Sequence, residues 1–577
     1  MKSSLWKIGW ALAAFGASMA MAEEPAAAPA AAPAAEGSID VQLDLGSDGR
    51  VTREEFLQMN SGAPGDVLQQ AFAQLDANHD GAIAMDDLSL LGQAGPPPSS
   101  SLKPGPSALA PDLEPEGEIP LPEIPEAAAA AAKDCPYAVV ISSTAASMPE
   151  WKAVADALVK KRSGTLVVYE GSVVNCLPEL ARRRPRYTAF VVRPEAAGRI
   201  IVARIHRLTR ALNQDPYTDT LWGIISAATP EGAMRMALAD EPKVLRRAIS
   251  LTGINHGLFD QALTISDAAM GEWTLKKSGG AEEKGADGRA DRTQMFVEHF
   301  NTMKPDLLVG SGHATERNLE MSFSRGNTEI QDGKWVGLVN WRTPSQSVLP
   351  IEPGNHPRVF LGAGNCLIGN FQNRADSMAA VLIDRYGFNQ FVGYTVPTWY
   401  GKGGWGTLGI WGQMPGIYSL AEAWFFNNQA ITEELIRRFP DSASRSLPVS
   451  ERGEGLNYGL IARQDKDESG MLWDRDVVAF YGDPAHRVFL DGSKQPPGVG
   501  FRLRSEQTRH ALDVAIAPEC KVTGGWLALY FSKRIPGRIE VISGAEYEPL
   551  ITENFIVLRK ADYTPGKKYT VVFTATP

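Results

Sequence analysis

The chain has 577 residues, of which 44% are hydrophobic and 21% are charged. This length exceeds what one hydrophobic core usually serves, so roughly two to four domains are expected. The formal net charge is -10 and the sequence pI is about 5.5. No basic stripe dominates the sequence, which argues against a nucleic-acid-binding protein.

The first 22 residues have the features of a secretory signal peptide. Lys2 and Lys7 give a positive start, an apolar stretch follows over 8–17, and Ala20-Met21-Ala22 is a small-x-small cleavage site. The apolar stretch is short for a membrane span, and no later run has spanning length. We therefore expect an exported protein, periplasmic or extracellular, with no integral membrane segment in the mature chain.

Three segments of different composition follow the signal. Residues 23–38 are rich in Ala and Pro and are predicted to be a tether, and residues 39–91 are predicted to form a small helical module. Residues 92–132 are rich in Pro and have too little apolar surface to fold on their own, so an extended interdomain linker is expected there.

Two segments of the helical module match the EF-hand calcium loop, with starts 32 residues apart at Asp44 and Asp76. Gly46 replaces one oxygen ligand of the first loop, and Asp87 replaces the usual glutamate that ends the second. Two matches in tandem favour calcium binding over the alternative, two acidic turns between helices. A structural or docking role at millimolar calcium is expected. The predicted ligand positions, with the backbone carbonyl at the seventh position included, are Asp44, Asp48, Arg50, Glu55, Asp76, Asn78, Asp80, Ala82 and Asp87.

From Cys135 the pattern changes to alternating strands and helices, which indicates an α/β domain with a mostly parallel sheet flanked by helices. Thr229-Pro230-Glu231 is a favourable helix start. We expect this domain to cover residues 133–490. The predicted strands before the first catalytic candidate are 137–141, 165–169, 187–192 and 222–225, and the predicted helices include 151–158, 176–184, 200–212 and 378–386.

After about residue 490 the helices stop, and short alternating segments separated by turn residues take over. This pattern is typical of a small β-sandwich, which we expect over residues 491–577. The predicted strands are 499–503, 512–516, 526–530, 538–542, 555–558 and 569–573.

Two apolar runs end in residues with useful chemistry, His313 after the run 306–312 and Cys366 after the run 358–365. Each is predicted to be a short buried strand, and ligands of open α/β sheets bind at the C-terminal ends of strands. Two neighbouring strands would place an imidazole beside a thiol, which is the minimum machinery for nucleophilic catalysis by cysteine. The backbone N–H groups of Cys366 and Ala314 are candidates for the oxyanion hole.

Both residues also have a structural interpretation, because a lone Cys at a strand end is usually a small core residue and a lone His is often a hydrogen-bonded structural one. The occurrence of both together favours catalysis. His256 is a rival base, but it lies 110 residues before Cys366. His206 and His299 are expected on helices, in structural roles.

Four cysteines are too few for a disulfide framework in an exported chain of this size. Cys135 and Cys176 flank the first two predicted strand–helix units and are the best placed pair for a bridge. Free buried thiols are an equally open alternative.

The separation of 53 residues between His313 and Cys366 is close to the roughly 50 residues found in caspases. With this separation, the chain resembles the gingipain-type cysteine peptidases, which have a caspase-like fold. The resemblance is carried by the segments 307–313, 359–371 and 480–484. The resemblance covers roughly residues 135–490 and places the β-sandwich where the family has an immunoglobulin-like domain. It implies that His313 is the base and Cys366 the nucleophile.

The resemblance also implies two substrate-binding residues. Trp399 falls where the family has an aromatic wall near the specificity pocket, and Asp215 resembles the acidic residue that selects basic side chains in the arginine-cleaving members. Asp215-Pro216-Tyr217 is also a good turn sequence. The chain departs from the family at Ala314, where Gly is usual, and at Asn365, where Ala is usual.

The expected function is that of an exported cysteine endopeptidase that acts on protein or peptide substrates and carries calcium-binding EF-hands. The two departures motivate an alternative, a catalytically inactive, peptidase-like calcium-binding interaction protein. A third hypothesis is a zymogen in which residues 23–132 block the site until cleavage. The Gly-rich aromatic cluster of Tyr400, Trp405 and Trp411 is either a substrate wall or part of the core.

Overall fold

The computed structural model describes residues 6–11, 38–43, 50–59, 72, 82–84, 113–115 and 117–125, and then 135–576 with eight gaps. The chain divides into two compact units, Met1–Ala108 and Leu109–Pro577. The gaps are residues 240–242, 287–290, 322–325, 372–374, 399, 447–465, 495–497 and 521–525.

The first unit contains short antiparallel strand pairs. Strand β1 pairs with β2, and β3 pairs with β4 so that Val51 lies opposite Ile83. The rings of Phe56 and Phe72 pack at 5.6 Å between centroids. The elements are β1 (Trp6–Ala11), β2 (Ser38–Leu43), β3 (Arg50–Thr52), α1 (Arg53–Met59) and β4 (Ala82–Ala84).

The second unit is built on the alternating strands and helices that its sequence predicts. The strands of its α/β part are β5 (Cys135–Ser142), β6 (Thr165–Tyr169), β7 (Pro185–Val191), β8 (Leu221–Ile225), β9 (Lys243–Leu245), β10 (Arg247–Ser250), β11 (Gln261–Ile265), β12 (Glu272–Lys276), β13 (Glu282–Ala286), β14 (Leu307–Gly310), β15 (Asn318–Glu320), β16 (Asn327–Gln331), β17 (Lys334–Val339), β18 (Ser347–Pro350), β19 (Arg358–Gly362), β20 (Phe388–Tyr394), β21 (Val478–Tyr481) and β22 (Val488–Leu490).

Several helices of this unit begin with the cap residues that their sequences predict. The N–H of Gly232 donates to the Thr229 hydroxyl at 3.2 Å, with Pro230 in the first turn. The helices are α2 (Ser143–Ala146), α3 (Pro149–Arg162), α4 (Leu177–Arg183), α5 (Arg199–Thr209), α6 (Pro230–Ala237), α7 (Thr293–Met303), α8 (Met378–Tyr386), α9 (Lys402–Gln413), α10 (Leu420–Arg438), α11 (Pro440–Ala443) and α12 (Lys466–Val477).

A twelve-stranded sheet forms the centre of this unit, in the order β13-β12-β11-β10-β14-β19-β20-β21-β8-β7-β5-β6. Neighbouring strands are parallel except at β11–β12, β12–β13 and β20–β21. Most central strands are buried along their whole length, as in sheets covered by helices on both faces. The α/β prediction, with a large and mostly parallel sheet, is confirmed.

The two halves of this sheet run in opposite directions. Strand β21 is antiparallel to β20, with Tyr394 opposite Val478, and it is parallel to β8, with Tyr481 opposite Ile224. Strands β5 to β8 therefore run against β14, β19 and β20. As a result, the C-terminal ends of β14, β19 and β20 share one edge of the sheet with the N-terminal ends of β5 to β8. We call it the Gly310 edge, after the last residue of β14.

The C-terminal part forms two antiparallel sheets, as predicted. The four-stranded sheet has the order β23-β24-β29-β26, and the three-stranded sheet has the order β25-β28-β27. Phe555 packs its ring against Phe425 of α10 at 5.8 Å, and Arg184 pairs with Glu553 at 3.0 Å. The strands are β23 (Val499–Glu506), β24 (Arg509–Ile516), β25 (Leu527–Tyr530), β26 (Arg538–Ser543), β27 (Pro549–Ile551), β28 (Phe555–Leu558) and β29 (Lys568–Thr576).

Part of the predicted linker is held against the α/β part. We call residues 113–125, apart from residue 116, the strap. Glu114 is buried and accepts hydrogen bonds from the Ser172 hydroxyl and the Val173 N–H, both at 2.7 Å, and it pairs with Arg204 of α5. Leu121 and Ile124 pack on the core. The strap therefore contacts α5 and the 172–173 turn.

All four cysteines are free thiols. Cys135 begins β5 at the Gly310 edge, whereas Cys176 follows β6 at the opposite edge. The Cys135–Cys176 bridge is therefore wrong, because the length of a strand separates the two residues. Cys176 instead donates to the carbonyl of Val173 at 2.9 Å.

Among the described residues, no helix combines the length and the apolar character that crossing a membrane requires.

Candidate active site

The two apolar runs form adjacent parallel strands. Strand β14 pairs with β19, and Gly310 lies opposite Gly362 where both strands end. His313 follows β14 by three residues, and Cys366 follows β19 by four. Their loops therefore leave the sheet side by side at the Gly310 edge.

A buried side chain links the two loops. The Nδ2 of Asn365 donates to the carbonyl oxygen of Gly312 at 2.9 Å, and Asn365 is fully buried. Gly310 leaves the room for this contact, since a Cβ on it would lie 2.3 Å from the Asn365 Oδ1. The residue before Cys366 is thereby fixed to the residue before His313.

A β-hairpin carries the imidazole. The N–H of Glu320 donates to the carbonyl of His313 at 2.9 Å, and the N–H of Thr315 donates to that of Asn318 at 3.1 Å. Ala314 lies opposite Leu319, and both are buried. His313 is exposed, and within the described residues no hydrogen bond engages its ring.

The thiol of Cys366 is half-buried against the segment after β20. The N–H of Thr398 donates to Sγ at 3.1 Å, and the thiol faces the carbonyl oxygen of Thr398 at 3.6 Å. Burial raises the pKa of the thiol above its ordinary value, the Thr398 hydrogen bonds oppose this rise, and the Glu320 carboxylate adds to it. The resting site therefore favours the thiol over the thiolate.

Left-handed backbone flanks both residues. Gly312, directly before His313, has φ +112°, and Leu367, directly after Cys366, has φ +58°. A leucine in this region costs about 1–2 kcal/mol. Such backbone strain is concentrated at functional sites, where the surrounding fold maintains it.

An exposed aromatic ring borders the loop of Cys366. The Trp405 Nε1 would lie 3.0 Å from a Cβ on Gly364, and 41% of Trp405 is exposed. Trp411 is fully buried, so it belongs to the core. The hydroxyl of Tyr400 donates to Asp467 at 3.1 Å. The predicted aromatic cluster thus contributes Trp405 alone to the surface beside Gly364.

A buried carboxyl holds the start of α9, which carries Trp405. The Oδ2 of Asp474 accepts the N–H of Gly403 at 2.8 Å and the hydroxyl of Tyr394 at 3.2 Å. The Tyr394 oxygen in turn accepts the N–H of Gly404 at 2.9 Å. Burial raises the pKa of Asp474 to about 7, although the Gly403 and Tyr394 hydrogen bonds oppose the rise.

The two residues predicted to bind substrate have different outcomes. Trp399 lies outside the described residues. The carboxylate of Asp215 accepts the N–H of Tyr217 at 2.9 Å and an amide hydrogen of Asn213 at 3.2 Å, as in an Asx turn. This turn precedes β8, which β20 and β21 separate from β19. These contacts fit the turn interpretation, and the substrate-binding role of Asp215 stays a prediction.

Three other histidines considered from the sequence are engaged in the fold. The Nε2 of His256 lies 2.7 Å from the Thr264 hydroxyl, and burial lowers the pKa of this buried imidazole. His206 is fully buried, with its Nε2 at 2.9 Å from the Val478 carbonyl. The Nδ1 of His299 lies 2.8 Å from the carbonyl of Met295. His256 is therefore a poor rival to His313 as a base.

Three of the predicted calcium-ligand positions lie in the described residues, Arg50, Glu55 and Ala82. The Oε2 of Glu55 accepts the N–H and the hydroxyl of Thr52, at 2.8 and 2.7 Å, and so caps α1. Within the described residues no group of three or more His, Cys, Asp or Glu is placed to hold a metal ion. The positions outside them are Asp44, Asp48, Asp76, Asn78, Asp80 and Asp87.

The sequence interpretation missed two groups of the site. Thr398 follows β20, the next parallel strand, so the rule that led to Cys366 could have found it. Glu320 is harder to find, because only the hairpin brings it opposite His313.

Comparison with known proteins gives little similarity. No family model matches the sequence, and no curated protein matches it. A solved structure described as "Structure of Protease" is similar at 10% identity with a TM-score of 0.35, over 67% of this chain and 88% of that one. A similarity this weak identifies neither fold nor activity, so the function is argued from the geometry of the site.

Proposed function

We propose that this protein is a cysteine endopeptidase of the gingipain type, with a caspase-like α/β domain. Cys366 is the nucleophile and His313 the base. The thiol gives its proton to the imidazole, the thiolate attacks the peptide carbonyl, and the imidazolium protonates the leaving amine. Water then hydrolyses the thioester and releases the second product.

One observation carries this proposal, the hydrogen bond between Asn365 and Gly312 at the ends of two adjacent parallel strands. It holds together the loops of the thiol and the imidazole, although they are 53 residues apart in sequence. The strained backbone at Leu367 supports the same site, since the fold maintains a costly conformation beside the thiol.

The backbone also has donors for an oxyanion. The hairpin uses the N–H groups of Thr315 and Glu320, and among the described residues no acceptor engages the N–H of Ala314. Together with the N–H of Cys366, it could stabilise the negative charge that develops on the substrate carbonyl. Ala314 has the same backbone N–H as the glycine that is usual at this position in the family.

Peptide cleavage by purified variants tests the proposal. Wild type should hydrolyse a peptide library, whereas Cys366→Ala and His313→Ala should lose all but background hydrolysis. Cys176→Ala is the matched control, because the Cys176 thiol is buried and Cys176 directly precedes α4 at the opposite edge. Equal cleavage by wild type and Cys366→Ala would rule out the assignment.

Two observations favour the second candidate, an inactive peptidase-like interaction protein. Burial raises the pKa of the Cys366 thiol, and the His313 ring is exposed. Alkylation with iodoacetamide separates the candidates. Cys366 should react at neutral pH in an enzyme, at a rate that His313→Ala lowers. An inactive relative would show slow alkylation that His313→Ala leaves unchanged.

We also propose that the N-terminal module binds calcium in an exported protein. The antiparallel pair β3–β4 supports this, because it places Val51 opposite Ile83, the eighth positions of the two predicted loops. Calorimetric titration of the full chain with calcium should show binding that Asp76→Ala weakens and that Asp156→Asn, a change at an exposed position of α3, leaves unchanged. An absence of calcium-dependent heat in wild type contradicts the proposal.

A further inference from the structure

The hairpin after His313 places a carboxylate beside the imidazole. Residues 313 and 320 are directly opposite in the hairpin, joined by the hydrogen bond from the Glu320 N–H to the His313 carbonyl. Directly opposite residues of an antiparallel pair project from the same face, with Cα atoms about 5.5 Å apart. Glu320 and His313 are therefore cross-strand neighbours.

Burial shows which face they share. The alternate pair, Ala314 and Leu319, is 7% and 1% exposed and points into the core. Successive residues of a strand point to opposite faces, so His313 and Glu320 share the outer face. In agreement, His313 is exposed and Glu320 is half-buried.

The same carboxylate acts on the thiol. Its negative charge contributes to the raised pKa of Cys366, after the larger effect of burial. Glu320 is thus near both groups. It lies opposite His313 in the hairpin, and it is close enough to Cys366 to influence the pKa of the thiol. Within the described residues no ion pair or hydrogen bond engages its carboxylate.

We propose that Glu320 is a positioning residue that holds the imidazolium of His313 toward Cys366. This inference rests on the proposed function. When the proton moves from the Cys366 Sγ to His313, the cation formed lies opposite Glu320 in the hairpin, where the carboxylate can attract it. The proton then passes from His313 to the leaving amine. An exposed imidazole thereby gains the orienting partner that a base needs.

Several other charged groups around the hairpin have partners of their own. Glu316 contacts the Asn370 amide at 3.0 Å and Arg199 at 3.5 Å, and Arg317 pairs with Asp376 at 2.7 Å. Asp267, from the loop after β11, accepts the Ser311 hydroxyl at 2.8 Å. On α9, Lys402 pairs with Glu434 at 2.8 Å. Of these carboxylates, Glu320 alone lies opposite His313.

Steady-state kinetics across pH on the full chain tests this role. In Glu320→Gln, kcat should fall about 10- to 100-fold with KM within about twofold of wild type. The acidic limb of the kcat/KM profile, which reports ionisation of the thiol, should move to lower pH, because loss of the negative charge makes the Cys366 thiol a stronger acid. Glu320→Asp should restore part of kcat, since it restores the charge. Glu352→Gln, the same change at an exposed position, should match wild type.

Failure of this inference is distinct from failure of the proposed function. Unchanged kcat and an unchanged acidic limb in Glu320→Gln, alongside active wild type and inactive Cys366→Ala, overturn the role of Glu320 alone. If wild type cleaves no peptide, the proposed function fails, and the pH dependence of Cys366 alkylation becomes the test. A shift to lower pH in Glu320→Gln then supports the placement of the carboxylate, and an unshifted profile overturns it.

Discussion

Neutralising the buried carboxylate of the strap should release the strap from α5. In Glu114→Gln the shape of the side chain is kept, but the amide nitrogen replaces an oxygen that accepts hydrogen bonds. Oε2 accepts the Ser172 hydroxyl and faces Arg204, and Oε1 accepts the N–H of Val173. The side chains of Glu114 and Arg204 are only 3% and 8% exposed, so the pair is shielded from water.

The expected magnitude follows from this burial. Removing one partner of a buried ion pair costs about 3–5 kcal/mol, and here Arg204 would keep its hydrogen bonds to the carbonyls of Pro115 and Gly117 but lose its counter-charge. The global free energy of unfolding should fall by less than this, since an open strap lets water reach Arg204. The opening equilibrium of the strap should therefore rise about 100-fold or more, at about 1.4 kcal/mol for each factor of ten.

Hydrogen–deuterium exchange followed by mass spectrometry measures this opening. The amide of Val173 is a direct reporter, because its hydrogen bond is to Glu114 itself. In Glu114→Gln the peptide that contains Val173 should exchange faster, while peptides from the central strands keep their protection. Glu118→Gln makes the same change at an exposed strap position and should exchange as wild type does. Equal exchange in both variants would refute the argument that the buried pair holds the strap.

Two further predictions concern α9, the helix beside the Cys366 loop. Gly404→Ala should destabilise the protein by about 2–4 kcal/mol in chemical denaturation, since the new Cβ would lie 2.2 Å from the Ala363 carbonyl oxygen. Gly409→Ala should instead stabilise the protein by about 0.5–1 kcal/mol, because no atom lies within 4 Å of its new Cβ. A similar effect of both changes on stability would contradict the close approach at Gly404. Asp474→Asn should be stabilising relative to wild type above pH 7. The pKa of Asp474 is about 7 in the folded protein, which exceeds the unfolded value of about 3.9. The stability that the protonated carboxyl contributes is therefore complete below about pH 4 and is lost as the pH rises through 7. Thermal melts from pH 5 to 8 should show a stability difference that grows with pH, and a constant difference would contradict a raised Asp474 pKa.

Local patterns predicted a number of elements because the causes of those elements are local. The predicted helix 378–386 has the bounds of α8, and the predicted strands 165–169 and 555–558 have those of β6 and β28. Apolar periodicity, cap residues and turn residues decide these segments, and each acts over a few residues. The positions of His313 and Cys366 at the ends of adjacent strands follow from the same patterns with the rule for parallel sheets.

The strap shows where composition misleads. Its prolines and few apolar residues predict an extended linker, and its described residues are in neither a helix nor a strand. Its burial depends on Arg204, which lies about 90 residues away on α5. No window of sequence around the strap contains that partner, so composition alone could not predict the contact.

By itself, the sequence indicated a number of the helices and strands, a mostly parallel sheet, and a thiol and an imidazole that each follow a buried strand. Only the tertiary structure decided that β5 to β8 run against β14, β19 and β20, because apolar periodicity is the same for either strand direction. It alone placed Thr398 against the thiol and Glu320 opposite His313. These placements depend on contacts between residues distant in sequence or on the pairing of a hairpin, and neither leaves a signal in local composition.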